Sequence, residues 1–128
     1  MPERYTDLLE CCVPAHVATI GPKGEPQSTP VWFGWDGTHV LLSLIKTAQK
    51  YRNLQRDPRI ALSIVDPQSL YRYLEIRGRV IRFEEDADRH FVNSLAKKYL
   101  KQEVYPWHTP GDEHVVLVVE PEHTTYMG

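Results

Sequence analysis

Cysteine is nearly absent from this chain: the two residues present, Cys11 and Cys12, stand side by side. Adjacent cysteines have the wrong spacing for a zinc knuckle or a CxxC redox pair, and they read as reduced thiols of a cytosolic protein. Long apolar runs are missing as well. No stretch comes near the roughly 18 residues that a membrane-spanning helix requires. The opening "MPERYTDLLE" is charged and has none of the apolar core of a secretory signal. Nor is there an excess of positive charge. Fifteen Lys and Arg against seventeen Asp and Glu give a formal −2, which argues against a general nucleic-acid or membrane binder. The expectation is a cytoplasmic protein whose partners are small molecules rather than nucleic acid or membrane.

Familiar catalytic motifs are equally scarce. The six histidines, at 16, 39, 90, 108, 114 and 123, form no HxH, HxxxH or HExxH pattern, so no metal site is expected. There is no G-x-S-x-G elbow and neither cysteine has an evident base, which removes covalent hydrolysis. There is no Walker loop and no GxGxxG, and "GPKGEP" (21–26) is a turn rather than a phosphate cradle. Glu84, Glu85 and Asp86 fall where a helix N-terminus favours negative charge, a structural role. No catalytic side chain is assigned.

What remains is an ordinary globular composition, 41% hydrophobic and 25% charged over 128 residues, enough for one domain with one core. A short helix is expected over 3–11. Strands are expected at 15–20, 27–35, 38–44, 59–65, 71–83 and 115–121, with helices at about 47–57 and 85–101. Asp36-Gly37 marks a hairpin turn. The stretch 71–83 alternates, with Leu74, Ile76 and Val80 on one face and Tyr71, Tyr73, Glu75, Arg77 and Arg79 on the other. Six strands joined by short turns, with two or three helices, suggest a mainly β, α+β domain whose antiparallel sheet closes into a small barrel.

Two stretches carry chemistry. In "SLIKTAQKYRNLQRDP" (43–58), Thr47 is placed to cap a helix, yet three residues on, where a capping box takes Glu or Gln, stands Lys50. A cation there opposes the helix dipole by about 0.3–1 kcal/mol, a cost that a bound phosphate would reverse. Lys50, Asn53 and Leu54 share a helical face; Asn53 could brace the lysine or touch the ligand, with Leu54 packing inward. A solvated basic surface is the plainer reading. In the second stretch, Gln27, Ser28 and Thr29 run into Pro30, Val31 and Trp32. Pro30 donates no ladder hydrogen bond, so the strand lies at an edge, is bulged, or faces a ligand there. A flat, partly polar ring would suit it. Phosphate at one end and a flat ring at the other outline a flavin-like nucleotide.

The ordered set "VWFGWDG … K-x-x-N-L-x-x-D-P-R … I-x-G", with "YLEIRGRV", resembles the pyridoxamine-phosphate-oxidase-like split-barrel superfamily. Within it, the chain is similar to the B group of flavin and deazaflavin oxidoreductases, many of which use coenzyme F-420. The resemblance spans about residues 5–126. It implies a six-stranded split barrel acting as a homodimer with cofactor sites at the subunit interface. It also implies that Lys50 binds the cofactor phosphate with help from Ser43, and that Gln27 to Val31 hold the tricyclic ring. Tyr71, Tyr73 and Leu74 would come from the partner chain. An arginine that relatives often carry just before the lysine is replaced by Ala48 and Gln49, with Arg52 or Lys46 as substitutes. The ending "EPEHTTYMG" lacks the Arg-Leu-x-Pro of true pyridoxamine phosphate oxidases. The implied activity is hydride transfer from reduced F-420 to an electron-poor conjugated or heteroaromatic molecule. The alternatives are an FMN-dependent reductase or oxidase of the same fold, and a non-enzymatic cofactor binder. Trp107 and His108 would border the substrate opening.

Overall fold

A computed structural model describes residues 1–128. After a single 3-10 turn, Glu3–Tyr5, the chain forms helix α1 (Thr6–Glu10) and strands β1 (Ala15–Ile20), β2 (Pro26–Val31), β3 (Phe33–Trp35) and β4 (Val40–Ile45). Helix α2 (Gln49–Arg56), strands β5 (Arg59–Asp66) and β6 (Ser69–Glu85), helix α3 (His90–Leu100) and strand β7 (His114–Met127) follow. All strand pairs are antiparallel, in the order β2-β1-β5-β6-β7-β4-β3.

That order explains the shape. The two edges of the sheet, β2 and β3, are successive in the chain and separated by Trp32 alone. Two edges one residue apart can coexist only if the sheet curls until they meet, which produces a barrel split along the β2–β3 seam. The expected strand 27–35 is therefore two strands, and the sheet has seven strands rather than six. Pro30 lies on β2, an edge strand, where the missing N–H costs no ladder bond.

The barrel interior is a 21-residue cluster in which Phe33, Leu42, Leu62, Ile64, Ile76 and Leu117 are essentially inaccessible. Strands β6 and β7 are the longest, and β7 runs six residues beyond the expected 115–121 because β6 offers it a partner as far as Tyr73. Their register shifts between Arg77 and Gly78, opposite Pro121. A Cβ on Gly78 would sit 2.0 Å from the Glu120 carbonyl oxygen, so only glycine allows this approach. The β3–β4 hairpin turns on Gly37 (φ 98°) and Thr38, one residue later than Asp36-Gly37, and the Asp36 N–H donates to the His39 carbonyl.

Helix α3 starts at His90, not near 85, because Glu84 and Glu85 are still in β6. The buried Asp86 carboxylate then accepts from the Phe91 and Val92 amides, both at 3.0 Å. This helix lies against the seam: the Tyr99 hydroxyl donates to the Val13 carbonyl (3.0 Å) and its ring stacks on Trp32 at 5.1 Å. No helix is long and apolar enough to cross a membrane.

Candidate cofactor-binding site

Where β4 ends and α2 begins, the chain turns through Lys46 and Thr47, and the N-cap is Ala48, in extended conformation. Thr47 is thus not the cap. It is exposed, one residue too early, and only its carbonyl is used, accepting from Arg52 at 3.1 Å. With no side-chain cap and no acid in the first turn, the N–H groups opening α2 have no protein acceptor of their own.

The four cations of this segment differ in how they are held. Lys46 donates to Glu85 at 2.8 Å and approaches Glu113 at 3.5 Å. Arg52 donates to the Thr47 carbonyl and to Gln49 Oε1, and Arg56 to the Ile20 carbonyl at 2.6 Å. Lys46 is thus held by two carboxylates, while Arg52 lies against Thr47 and Gln49, beside the place of the missing arginine. Lys50 makes neither a hydrogen bond nor an ion pair, is half-buried, and has its pKa lowered by that burial alone. A desolvated cation without a counter-charge, beside open helix amides, is an arrangement that suits an anion.

Lys50 lines a cavity of about 430 Å³ that also takes in Ser43 from β4 and Pro30, Val31 and Trp32 from the seam. Four expected site residues (Lys50, Ser43, Pro30 and Val31) thus line one cavity. Gln27 and Thr29 share a strand face with Val31, but Gln27 Oε1 is engaged by Asn53 Nδ2 (3.2 Å). Ser28 is exposed on the opposite face. Asn53 is wholly buried; it donates to Thr19 Oγ1 at 3.0 Å and accepts from Gln49 Nε2 at 2.8 Å. It therefore ties α2 to β1 and β2, and no hydrogen bond links it to Lys50.

The residues expected from a partner chain divide. The Leu74 side chain is wholly buried in this chain's own barrel, so it offers nothing to a partner. Tyr71 is 83% exposed and Tyr73 partly exposed, on the outer face of β6. The far wall of the cavity was not foreseen as a whole. Val92 and Leu95 of α3 and Tyr105, Asp112 and His114 complete it. Trp107 borders the cavity as expected, within an aromatic cluster with Trp32 (5.8 Å) and Tyr105 (5.7 Å). His108 borders a neighbouring polar cavity instead. The aromatics of "EVYPWHTPGDEH" were the available signal, but nothing local tells which strand a long loop will cover.

All 128 residues match the profile of the pyridoxamine 5'-phosphate oxidase family. The chain belongs to that family. Among solved structures, an F420 reductase is 36% identical, with a TM-score of 0.89 over 98% of both chains. A conserved hypothetical protein of Mycobacterium tuberculosis is 24% identical (TM-score 0.77, covering 99% of this chain and 84% of that one). General Stress Protein 26 of Bacillus anthracis is 17% identical (TM-score 0.72, 98% and 92%). These two share the fold. No curated protein sequence matches the chain.

Family membership brings the general chemistry of flavin and deazaflavin oxidoreductases. The residues fit such a cofactor. The unpartnered Lys50 and the α2 amides suit a phosphate, and the Pro30–Trp32 edge with its aromatic surroundings suits a flat ring.

Proposed function

We propose that this member of the family is a coenzyme F-420-dependent oxidoreductase that reduces an electron-poor conjugated or heteroaromatic small molecule. The observation that carries this reading is the 36% identity, over 98% of both chains, to the F420 reductase. Lys50 and the open N-terminus of α2 hold the cofactor phosphate with Ser43. The Pro30–Trp32 segment lies along the ring, and Trp107 and Tyr105 shield the adjoining space from water. When bound, the reduced deazaflavin supplies a hydride from its C5. The protein contributes orientation, desolvation and a shaped opening, which is why no nucleophile is needed.

The protein is further proposed to work as a homodimer. Leu70 and Tyr71 at the start of β6 and Tyr126 and Met127 at the end of β7 leave large apolar surfaces in water, where a second copy would cover them. Tyr71 and Tyr73 would then reach the partner's cofactor.

The test is a pair of fluorescence titrations of cofactor-free protein with F-420 and FMN, at low and moderate salt. F-420 should bind tightly and salt-sensitively, FMN at least about tenfold more weakly. Lys50→Ala should weaken F-420 binding by about 10–100-fold, as expected for loss of a charge-assisted contact. Preference for FMN would move the protein to the flavin branch, and undiminished affinity in Lys50→Ala would remove the phosphate assignment. Turnover of F-420 with an electron-poor acceptor separates an enzyme from a simple cofactor carrier.

A further inference from the structure

The segment "WHTPGDEH" (107–114) carries a second constellation that owes nothing to the cofactor reading. Thr109-Pro110-Gly111-Asp112 has the residues of a type II turn: proline second, and glycine third at φ 95°. The Asp112 N–H donates to the Thr109 carbonyl at 2.9 Å, and Asp112 Oδ2 accepts the Thr109 N–H at 3.0 Å. This closed turn folds the chain back, so that residues 108, 112 and 114 converge although no short metal motif links them.

The convergence is tight. His108 Nδ1 lies 2.8 Å from His114 Nε2, and the ligand atoms of His108, Asp112 and His114 all fall within 4.8 Å of one another. His114 is 5% exposed and anchored at the start of β7, with its backbone carbonyl accepting from the Asp86 amide. Glu85, Asp86 and Glu113 line the polar cavity beside this cluster, with Arg89 as its one basic wall residue. Two imidazoles and a carboxylate are the donor set of a divalent transition ion of borderline softness; its bonds of about 2.0–2.2 Å set ligands roughly 3.3 Å apart, so a group spread over up to 4.8 Å must draw in around it. The two rings need part by only a few tenths of an ångström. The proton between them then moves, through solvent, to the outward nitrogen of whichever ring carries it (His108 Nε2 or His114 Nδ1), leaving both rings neutral and both facing nitrogens free to bind.

We propose that His108, Asp112 and His114 form a binding site for a zinc-like divalent cation at the wall of the cofactor cavity. Three protein ligands leave a coordination position for water or for an oxygen or nitrogen donor of a small molecule. Asp112 and His114 line both the large cavity and the polar one, so the ion would stand between them. The sequence spacing shows no metal motif; the turn brings the three side chains together without one.

The experiment uses the full chain, stripped of metal with a chelator, and two probes, Zn²⁺ and Co²⁺. Zn²⁺ competed against a chromophoric chelator should bind at one equivalent per chain, and Co²⁺ should show the intense visible absorption of a four-coordinate site. His108→Ala should weaken Zn²⁺ binding by at least about 30-fold and Asp112→Asn by about tenfold, in the range typical of damaged metal sites. A His16→Ala/His123→Ala double variant, which removes two exposed histidines, should leave it unchanged. His114 is left intact because its burial makes a folding defect hard to separate from ligand loss. Absence of stoichiometric binding would reduce the cluster to a hydrogen-bonded histidine pair. Binding that survives His108→Ala but falls in the double variant would assign the metal to the surface. Either result overturns the site, and neither bears on F-420.

Discussion

The two longer helices begin in opposite ways. Helix α3 opens on a buried carboxylate, Asp86, which accepts two of its free amides, and carries Lys97 and Lys98 in its last turn. That is the arrangement the helix dipole favours. Helix α2 opens on Ala48 with no side-chain cap and no acid, and places the half-buried Lys50 where α3 receives a carboxylate. The same backbone problem, unsatisfied N–H groups at a positive end, is solved internally in one helix and left open in the other. An internal solution serves stability. An open one leaves amides free for the phosphate proposed above, and it is tolerable because the dipole cost is only about 0.3–1 kcal/mol.

The sharpest way to break this contrast is to remove each feature in turn. Asp86→Ala should lower stability by about 2 kcal/mol, because two charge-assisted hydrogen bonds are lost at a buried helix start. For a chain of this size that is a fall in Tm of about 8 °C by differential scanning calorimetry. Lys50→Ala should do the reverse. Cofactor affinity falls as argued above, while stability is unchanged or rises by a few tenths of a kcal/mol as the dipole conflict is relieved. If both variants lost stability alike, α2 would be an ordinary structural helix and its open end an accident.

How far these features could be read from residues alone follows the range of the interactions involved. Lys50 was legible because a misplaced charge in a capping pattern is a local fact. Pro30 was legible as an edge residue for the same reason. The cap itself fell one residue from its expected place, since only the turn geometry decides between Thr47 and Ala48. Strand β3 was hidden because nothing in "PVWFG" announces that the chain changes sheet edge at Trp32. Leu74 illustrates a different failure. Its place on the apolar face of 71–83 already marked it as core, and the resemblance alone gave it a second role that burial denies. His114 was invisible as a site residue because its partners come from a turn and a loop that meet only in the folded chain.

A carboxylate can also be moved from one helix start to the other. Ala48→Asp would give α2 the acid that α3 has. Stability should rise by about 0.5–1 kcal/mol in urea unfolding. Affinity for phosphate-bearing cofactors should fall by about fivefold or more, since the new carboxylate occupies the free amides and neutralises Lys50. A variant that gained stability without losing affinity would show that the phosphate sits elsewhere.

The smallest effect concerns the other end of α2. Asp57, its C-cap residue, lies at the negative end of the helix, again against the dipole, but here the conflict is resolved internally. Arg59 grips the carboxylate through Nε (3.0 Å) and Nη2 (2.6 Å), and that contact holds the Asp57 pKa down at about 2, from an ordinary value of 3.8. Because the folded value is the lower one, the pair's contribution to stability is complete above about pH 4 and drains away as pH falls through about 2. Asp57→Asn should therefore flatten the acid limb of the stability–pH curve between those values while leaving cofactor binding at neutral pH intact. Lys50 predicts the opposite limb. Its pKa is lowered by burial, so phosphate affinity should begin to fall on the alkaline side, below the usual lysine value of 10.5. If Asp57→Asn altered cofactor affinity as much as acid stability, the two ends of α2 would be one coupled device, and the division between an internally satisfied end and an open one would fail.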